Sequence, residues 1–164
     1  MNFKLAFWLV LSLIALVAGA VWFATILTGK PTVLESSGNV KAVTPEISFD
    51  WGTIPYAGGN AVKTFVIKNE GTEVLKLLNI KTSCTCTKAQ ITTEQGQSPY
   101  FSMHPTSSWS GEVSPGKEAQ LTVIYDPTFH GPTGVGPITR LVSVETNDKI
   151  KSKLEFSLKG VVVK

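Results

Sequence analysis

Apolar residues are arranged in two ways along this chain. Between Lys4 and Lys30 lie 25 residues without a formal charge, LAFWLVLSLIALVAGAVWFATILTG. As an α-helix this run is roughly 37 Å long, against a hydrocarbon core of about 30 Å, so it spans a bilayer with a modest tilt. A helix also satisfies every backbone donor and acceptor in lipid. Trp8 and Trp22-Phe23 lie towards its two ends, where interfacial aromatics are favoured. The pattern predicts a transmembrane signal anchor over residues 1–30, in contact with the bilayer through 5–29. The competing reading is a cleaved signal peptide. Lys4 is a short basic start and Ala18-Gly19-Ala20 fits an A-x-A cleavage pattern, although the apolar run continues to Leu27. Either way the rest of the chain is exported. The anchor reading gives a single-pass protein of the cytoplasmic (inner) membrane with its C-terminal domain outside the cytoplasm.

Residues 31–45 are small and polar with proline near both ends, and read as a tether. The second mode begins at Ile47, where apolar residues recur every second position, as in half-buried strands. Ile47, Phe49 and Trp51 form a first strand, and Val62–Asn69 a second, with Phe65 and Ile67 on one face. Leu75–Thr87 reads as a third, longer strand region. It has Leu75 and Leu77 on one side and Leu78, Ile80, Thr82, Cys84 and Cys86 on the other, unless a bulge swaps the parity. Residues 93–116 show no periodicity. Ala119–Tyr125, Ile138–Thr146 and a last strand through Leu154, Phe156 and Leu158 to Val163 complete the series, with a Gly/Pro-rich loop at 126–137. Short strands at this spacing predict an all-β domain over residues 46–164, an antiparallel β-sandwich. Its core would hold Phe49, Phe65, Ile67, Leu78, Ile80, Leu121, Val123, Val142, Leu154 and Phe156.

Composition narrows the function. Of 15 Lys and Arg, Lys4 and Lys30 flank the apolar run, and the other 13 face 12 Asp and Glu. A domain so close to neutral lacks the basic surface of a nucleic-acid binder. At 164 residues with 16% charged, the chain has one ordered domain large enough for a core without disulfide staples.

Several motifs follow one another in order: Phe49-Asp50-Trp51-Gly52-Thr53-Ile54, Phe65 to Asn69-Glu70-Gly71, Ser83-Cys84-Thr85-Cys86-Thr87, Pro115-Gly116 and Tyr125-Asp126-Pro127. Over roughly residues 46–163 the series resembles a widespread bacterial family of exported immunoglobulin-like domains of unknown function. That family typically reads F-x-F-G-x-I, F-x-x-x-N-x-G, S-C-G-C-T and P-G, and is similar in fold to PapD, major-sperm-protein and ASPM–SPD-2–Hydin domains. Here Trp51 stands where Phe is usual and Thr85 where Gly is usual. The resemblance implies an immunoglobulin-like sandwich that binds or scaffolds and does not catalyse. By the same analogy, an open sheet edge would recruit a strand from another exported or membrane protein.

The two cysteines carry the sharpest chemistry. In an extended strand Cys84 and Cys86 point to one side, with Cα atoms roughly 6.5–7 Å apart. That separation lies at the edge of disulfide geometry, so a bridge forms where the chain kinks. Two neighbouring thiolates can otherwise grip a soft metal ion. Met103-His104 lies in the first long loop and His130 in the second, and these are the only histidines in the chain. Cys84, Cys86, Met103, His104 and His130 form a ligand set that suits Cu(I), with Zn(II) second, if both loops fold over the end bearing the cysteines. Structural cysteines, packed or bridged, are the plain alternative. Thiol–disulfide exchange is a third, without C-x-x-C or a helix N-terminus to activate a thiol. No G-x-S-x-G elbow and no phosphate-binding loop is present.

Overall fold

The structure, a computed structural model, describes residues 2–27, 36–104 and 108–164. It divides into two compact units, Met1–Val33 and Leu34–Lys164. The first contains one α-helix, α1 (Phe3–Leu27). From Phe7 to Ala20 every side chain of α1 is exposed, so an apolar surface is bare all round the helix. Counted over the described residues alone, no helix is long and apolar enough to cross a membrane. The side chains at 3, 5, 6, 21 and 24–27 lie outside that description.

The second unit is an immunoglobulin-like β-sandwich of two five-stranded sheets. One sheet has the order β1 (Ala42–Val43), β3 (Ala61–Asn69), β8 (Glu118–Tyr125), β5 (Thr87–Thr93), β6 (Gly96–Gln97). The other has β2 (Ser48–Pro55), β10 (Lys153–Val163), β9 (Gly136–Thr146), β4 (Leu75–Thr82), β7 (Ser110–Val113). All pairs are antiparallel except β2 with β10. The antiparallel sandwich expected from the sequence holds for every pair of named strands but this one. Strands from the two ends of the domain can lie parallel because everything between them serves as the crossover.

Alternation sets the core. Phe65 and Ile67 of β3 and Leu121 and Val123 of β8 face Val142 and Val144 of β9 and Phe156 and Leu158 of β10, all almost fully buried. The Phe65 and Phe156 rings meet across the layers at 4.9 Å. Two core assignments change. Phe49 is only half-buried at the core margin, and Leu78 is half-exposed. The reason for the second is a bulge in β4: Asn79 has φ +49°, and the pairing of β4 with β9 shifts register between Leu78 and Lys81. The extra residue resets the alternation, so Leu75, Leu77, Ile80 and Thr82 all point inward.

The stretch 75–87 is two strands, not one. β4 ends at Thr82, a turn occupies 83–86, and β5 starts at Thr87 in the opposite sheet. Part of the segment expected to be aperiodic is paired as β6 and β7, and Phe101 bridges Ala89. Residues 36–43, expected to belong to a tether, also pack on the sandwich. Val40 and Ala42 are buried, β1 pairs with β3, and Ser37 bridges Asp148.

Candidate functional site

The turn 83–86 sits at the end of the sandwich where β8 finishes and β9 starts. Its neighbours in the sequence fix it there. Ser83 exchanges two bonds with β9: its N–H donates to the Leu141 carbonyl, and its Oγ accepts the Leu141 N–H, both at 2.9 Å. The buried Thr82 hydroxyl lies 2.8 Å from the Cys84 carbonyl and 3.0 Å from the Thr87 carbonyl. The Asp126 N–H donates to the Cys86 carbonyl at 3.0 Å. Asn79 is the only described non-glycine residue with positive φ, so Thr85 needs no glycine-like conformation.

Within this turn Cys84 and Cys86 form a disulfide, with Cα atoms 5.2 Å apart. The extended-strand geometry expected for the pair is corrected: the chain kinks, which brings the Cα atoms inside the ordinary disulfide range. The Cys86 N–H donates to Cys84 Sγ at 3.2 Å. A ring closed over residues two apart in sequence removes little freedom from the unfolded chain. In the chain-entropy picture it contributes about 1.6 kcal/mol, against about 3 kcal/mol for a 15-residue loop. As a staple the bond is weak, so its place in the molecule needs another reason.

Its surroundings supply one. The loop 126–135 is built on Asp126, whose Oδ1 accepts from the Thr128 N–H and hydroxyl at 2.8 and 2.6 Å. It then turns tightly: the Gly131 N–H donates to the Thr128 carbonyl and the Gly134 N–H to the Gly131 carbonyl. Gly134 passes so close to His130 that a Cβ there would lie 2.7 Å from the His130 Cβ. This hairpin puts the His130 Nε2 at 3.5 Å from Cys84 Sγ. The ligating atoms of Cys84, Cys86 and His130 all lie within 4.8 Å of one another. A cleft of about 140 Å³, lined in part by Asn60, Thr85, Lys88, Asp126 and Phe129, opens beside Cys86.

Arg140 completes the site. It lies on the face of β9 that also carries Val142 and Val144. Its Nε–H donates to Cys86 Sγ at 3.1 Å, and its Nη1 donates to the Thr139 carbonyl at 2.8 Å. The guanidinium sits 5.2 Å from the Tyr125 ring centroid, and Tyr125 stacks on Trp51 at 5.9 Å. From the sequence alone Arg140 had no role at the cysteines; the available signal was its parity, an arginine in step with two buried valines.

Of the five expected ligands, the structure brings Cys84, Cys86 and His130 together. Met103 and His104 are exposed, and among the described residues His104 joins no cluster of ligating side chains. Their segment nonetheless runs to this end of the domain. Phe101 pairs with Ala89, and the Ser102 carbonyl accepts the Thr82 N–H at 3.3 Å, next to the cysteine turn. Residues 105–107 lie outside the described residues.

Fold and site together define an immunoglobulin-like domain with a sulfur–imidazole cluster at one end. Residues 43–99 match the family described as a protein of unknown function (DUF1573). The match covers the stretch with the Phe49–Ile54, Phe65–Gly71 and Ser83–Thr87 motifs, and the resemblance read from the sequence holds. Among solved structures, a protein of unknown function from Porphyromonas gingivalis W83 is 18% identical with a TM-score of 0.54 over 82% of this chain; the chain spans about half, 51%, of that protein. A family 123 glycoside hydrolase from Clostridium perfringens aligns at 11% identity and TM-score 0.51, over 76% of this chain and 27% of the hydrolase. The PapD-like domain 7 of human CEP192 aligns at 18% identity and TM-score 0.46, over 83% of this chain and 93% of that domain. At these identities the likeness is one of fold. No curated protein matches the chain.

Proposed function

We propose that the chain is a single-pass protein of the cytoplasmic membrane whose immunoglobulin-like domain stands outside the cytoplasm and, when reduced, binds a soft metal ion. What supports the anchor is the uncharged run 5–29 and the bare apolar surface all round α1, which lipid would cover. The observation that carries the metal reading is the convergence of two sulfurs and one imidazole within 4.8 Å. Two thiolates and an imidazole give a soft, low-coordinate site that suits Cu(I). Zn(II) is second, since it asks for a fourth ligand. Met103 and His104, exposed on the segment that follows Ser102 beside the cysteine turn, are the candidates for that ligand. The work of the domain on this reading is binding, not turnover.

The test is titration of the reduced full chain in detergent with Cu(I). One equivalent should bind tightly, and the Cys84→Ser/Cys86→Ser variant should bind none. His130→Ala should weaken binding about 10- to 100-fold, with smaller losses for Met103→Leu and His104→Ala. No stoichiometric uptake, or equal uptake by the double serine variant, removes the metal reading.

A second reading has its own observation. Among the described residues, β3 between Ala61 and Ile67 has a strand neighbour on one side only, β8, because β1 reaches just Lys68 and Asn69; on the other side Trp51 Nε1 donates to the Val62 carbonyl. That open edge is where a strand of another exported or membrane protein would add, making the domain a scaffold. Loss of a partner on Val66→Pro substitution, with metal uptake intact, would mark this use.

A further inference from the structure

The two ends of the Cys84–Cys86 bond differ in access and in charge. Cys84 is half-buried, and the exposed His130 stands beside its Sγ. Cys86 is 2% exposed, and its Sγ accepts the Arg140 Nε–H at 3.1 Å, with the Thr87 hydroxyl at 3.6 Å. Arg140 makes no ion pair with a carboxylate among the described residues. It is held in place by the Thr139 carbonyl and the Tyr125 ring. A nucleophile arriving from solvent therefore meets Cys84, while the better-stabilised leaving sulfur is Cys86. Low stabilisation from a ring this short adds that little is lost when the bond opens.

We propose that this disulfide is reduced by thiol–disulfide exchange with a dithiol protein, and that the exchange is directional. In the first step a partner thiolate attacks Cys84 Sγ. A partner–Cys84 bond forms, the Cys84–Cys86 bond breaks, and the electron pair goes to Cys86 as a thiolate held by Arg140. In the second step the other partner thiolate attacks the partner's own sulfur in the mixed disulfide. The partner's internal disulfide forms and Cys84 leaves as a thiolate. Two electrons have then passed from the partner dithiol, which is oxidised, to the Cys84–Cys86 pair, which is reduced. The two protons shed by the partner thiols balance the two thiolates produced. This inference rests on the proposed metal reading for its purpose, because reduction delivers the two thiolates that the ion would need. Oxidation withdraws them, so the exchange governs loading.

The experiment uses the oxidised full chain in detergent with a chelator present and glutathione as the attacking thiol. Quenching early with iodoacetamide and mapping by mass spectrometry locates each product. Glutathione should be found on Cys84 and the alkyl group on Cys86, in at least about tenfold excess over the reverse. Arg140→Met should slow ring opening by about tenfold, and Arg140→Lys should restore part of the rate. Equal adducts, adducts mainly on Cys86, or an unchanged rate in a folded Arg140→Met variant overturn the proposal. The adduct position is read on the unmodified chain, so a variant that fails to fold leaves the test standing. Phosphine-reduced protein that takes up no Cu(I) removes the metal reading alone. Symmetric adducts remove the exchange and leave metal binding untouched.

Discussion

The two ends of the sandwich bury polar groups in opposite ways. At the end away from the cysteines, Asn69 is fully buried, donates to the carbonyls of Glu73 and Val113, and accepts the Gly71 N–H. Nearby, Asn147 accepts from the Lys76 N–H and donates to the Val74 carbonyl. Asp148 accepts from the N–H groups of Ala42, Ile150 and Lys151. Every one of these bonds goes to backbone that would otherwise be left unpaired where strands stop. At the cysteine end Thr82 and Ser83 also bond backbone, but polar groups converge on sulfur as well: the Arg140 Nε–H and the Cys86 N–H donate to the disulfide and the His130 ring stands 3.5 Å from Cys84 Sγ. A side chain that serves the backbone stabilises the fold. One that serves a reactive atom is free to serve chemistry. Substitutions should therefore separate into effects on stability at one end and on the site at the other.

The largest stability effect is expected at Asn69. Asn69→Ala removes two donors and one acceptor from a dry position and should cost about 3 kcal/mol in chemical unfolding, with Cu(I) uptake of the folded fraction unchanged. A weakened metal site in that variant would break the contrast between the two ends.

Asp148 comes next. Burial by itself pushes its carboxyl up, but the three backbone N–H donors outweigh burial and hold it below its ordinary 3.8. A depressed carboxyl stabilises the fold above that value, and the contribution is lost as pH falls through the lower folded-state value. Asp148→Asn should thus be less stable than the parent by about 1–2 kcal/mol at neutral pH. The gap should close below about pH 4 in paired denaturation curves. A constant gap from neutral to acid pH would show that charge is not what the three N–H groups hold.

Cys84→Ser/Cys86→Ser should cost no more than about 1.6 kcal/mol of stability while abolishing the metal site. A loss of several kcal/mol would make the disulfide a structural staple. The effect of Gly134→Ala on stability is expected to stay at about 1 kcal/mol, the cost of shifting the exposed loop around the new methyl group. Its Cβ would crowd His130, so metal affinity should fall about tenfold as the imidazole shifts. Unchanged affinity would place His130 outside the site.

Much of the fold was legible because strand periodicity is local. Phe65, Ile67, Leu121, Val123, Val142 and Phe156 follow from alternation alone. Where alternation was broken by one residue, at Asn79, the placing of Leu78 in the core failed: the pattern left room for a bulge in this strand but did not say at which residue it falls. The Ser83–Thr87 motif was read as extended strand, and the turn it forms was missed, because Ser83 is held by bonds to Leu141 in another strand while Thr82 ties the turn's own Cys84 and Thr87 carbonyls.

By itself the sequence determined the apolar N-terminal run, the alternation that makes two β layers, and the small set of sulfur- and imidazole-bearing residues. These depend on side-chain type and near-neighbour spacing, which the chain carries directly. Tertiary structure alone decided which of those residues meet. Cys84 and His130 are 46 positions apart, Cys86 and Arg140 54, and their contact depends on where the β4–β5 turn and the β8–β9 loop emerge from different strands. Packing of the sheets sets that placement, and no local pattern encodes it.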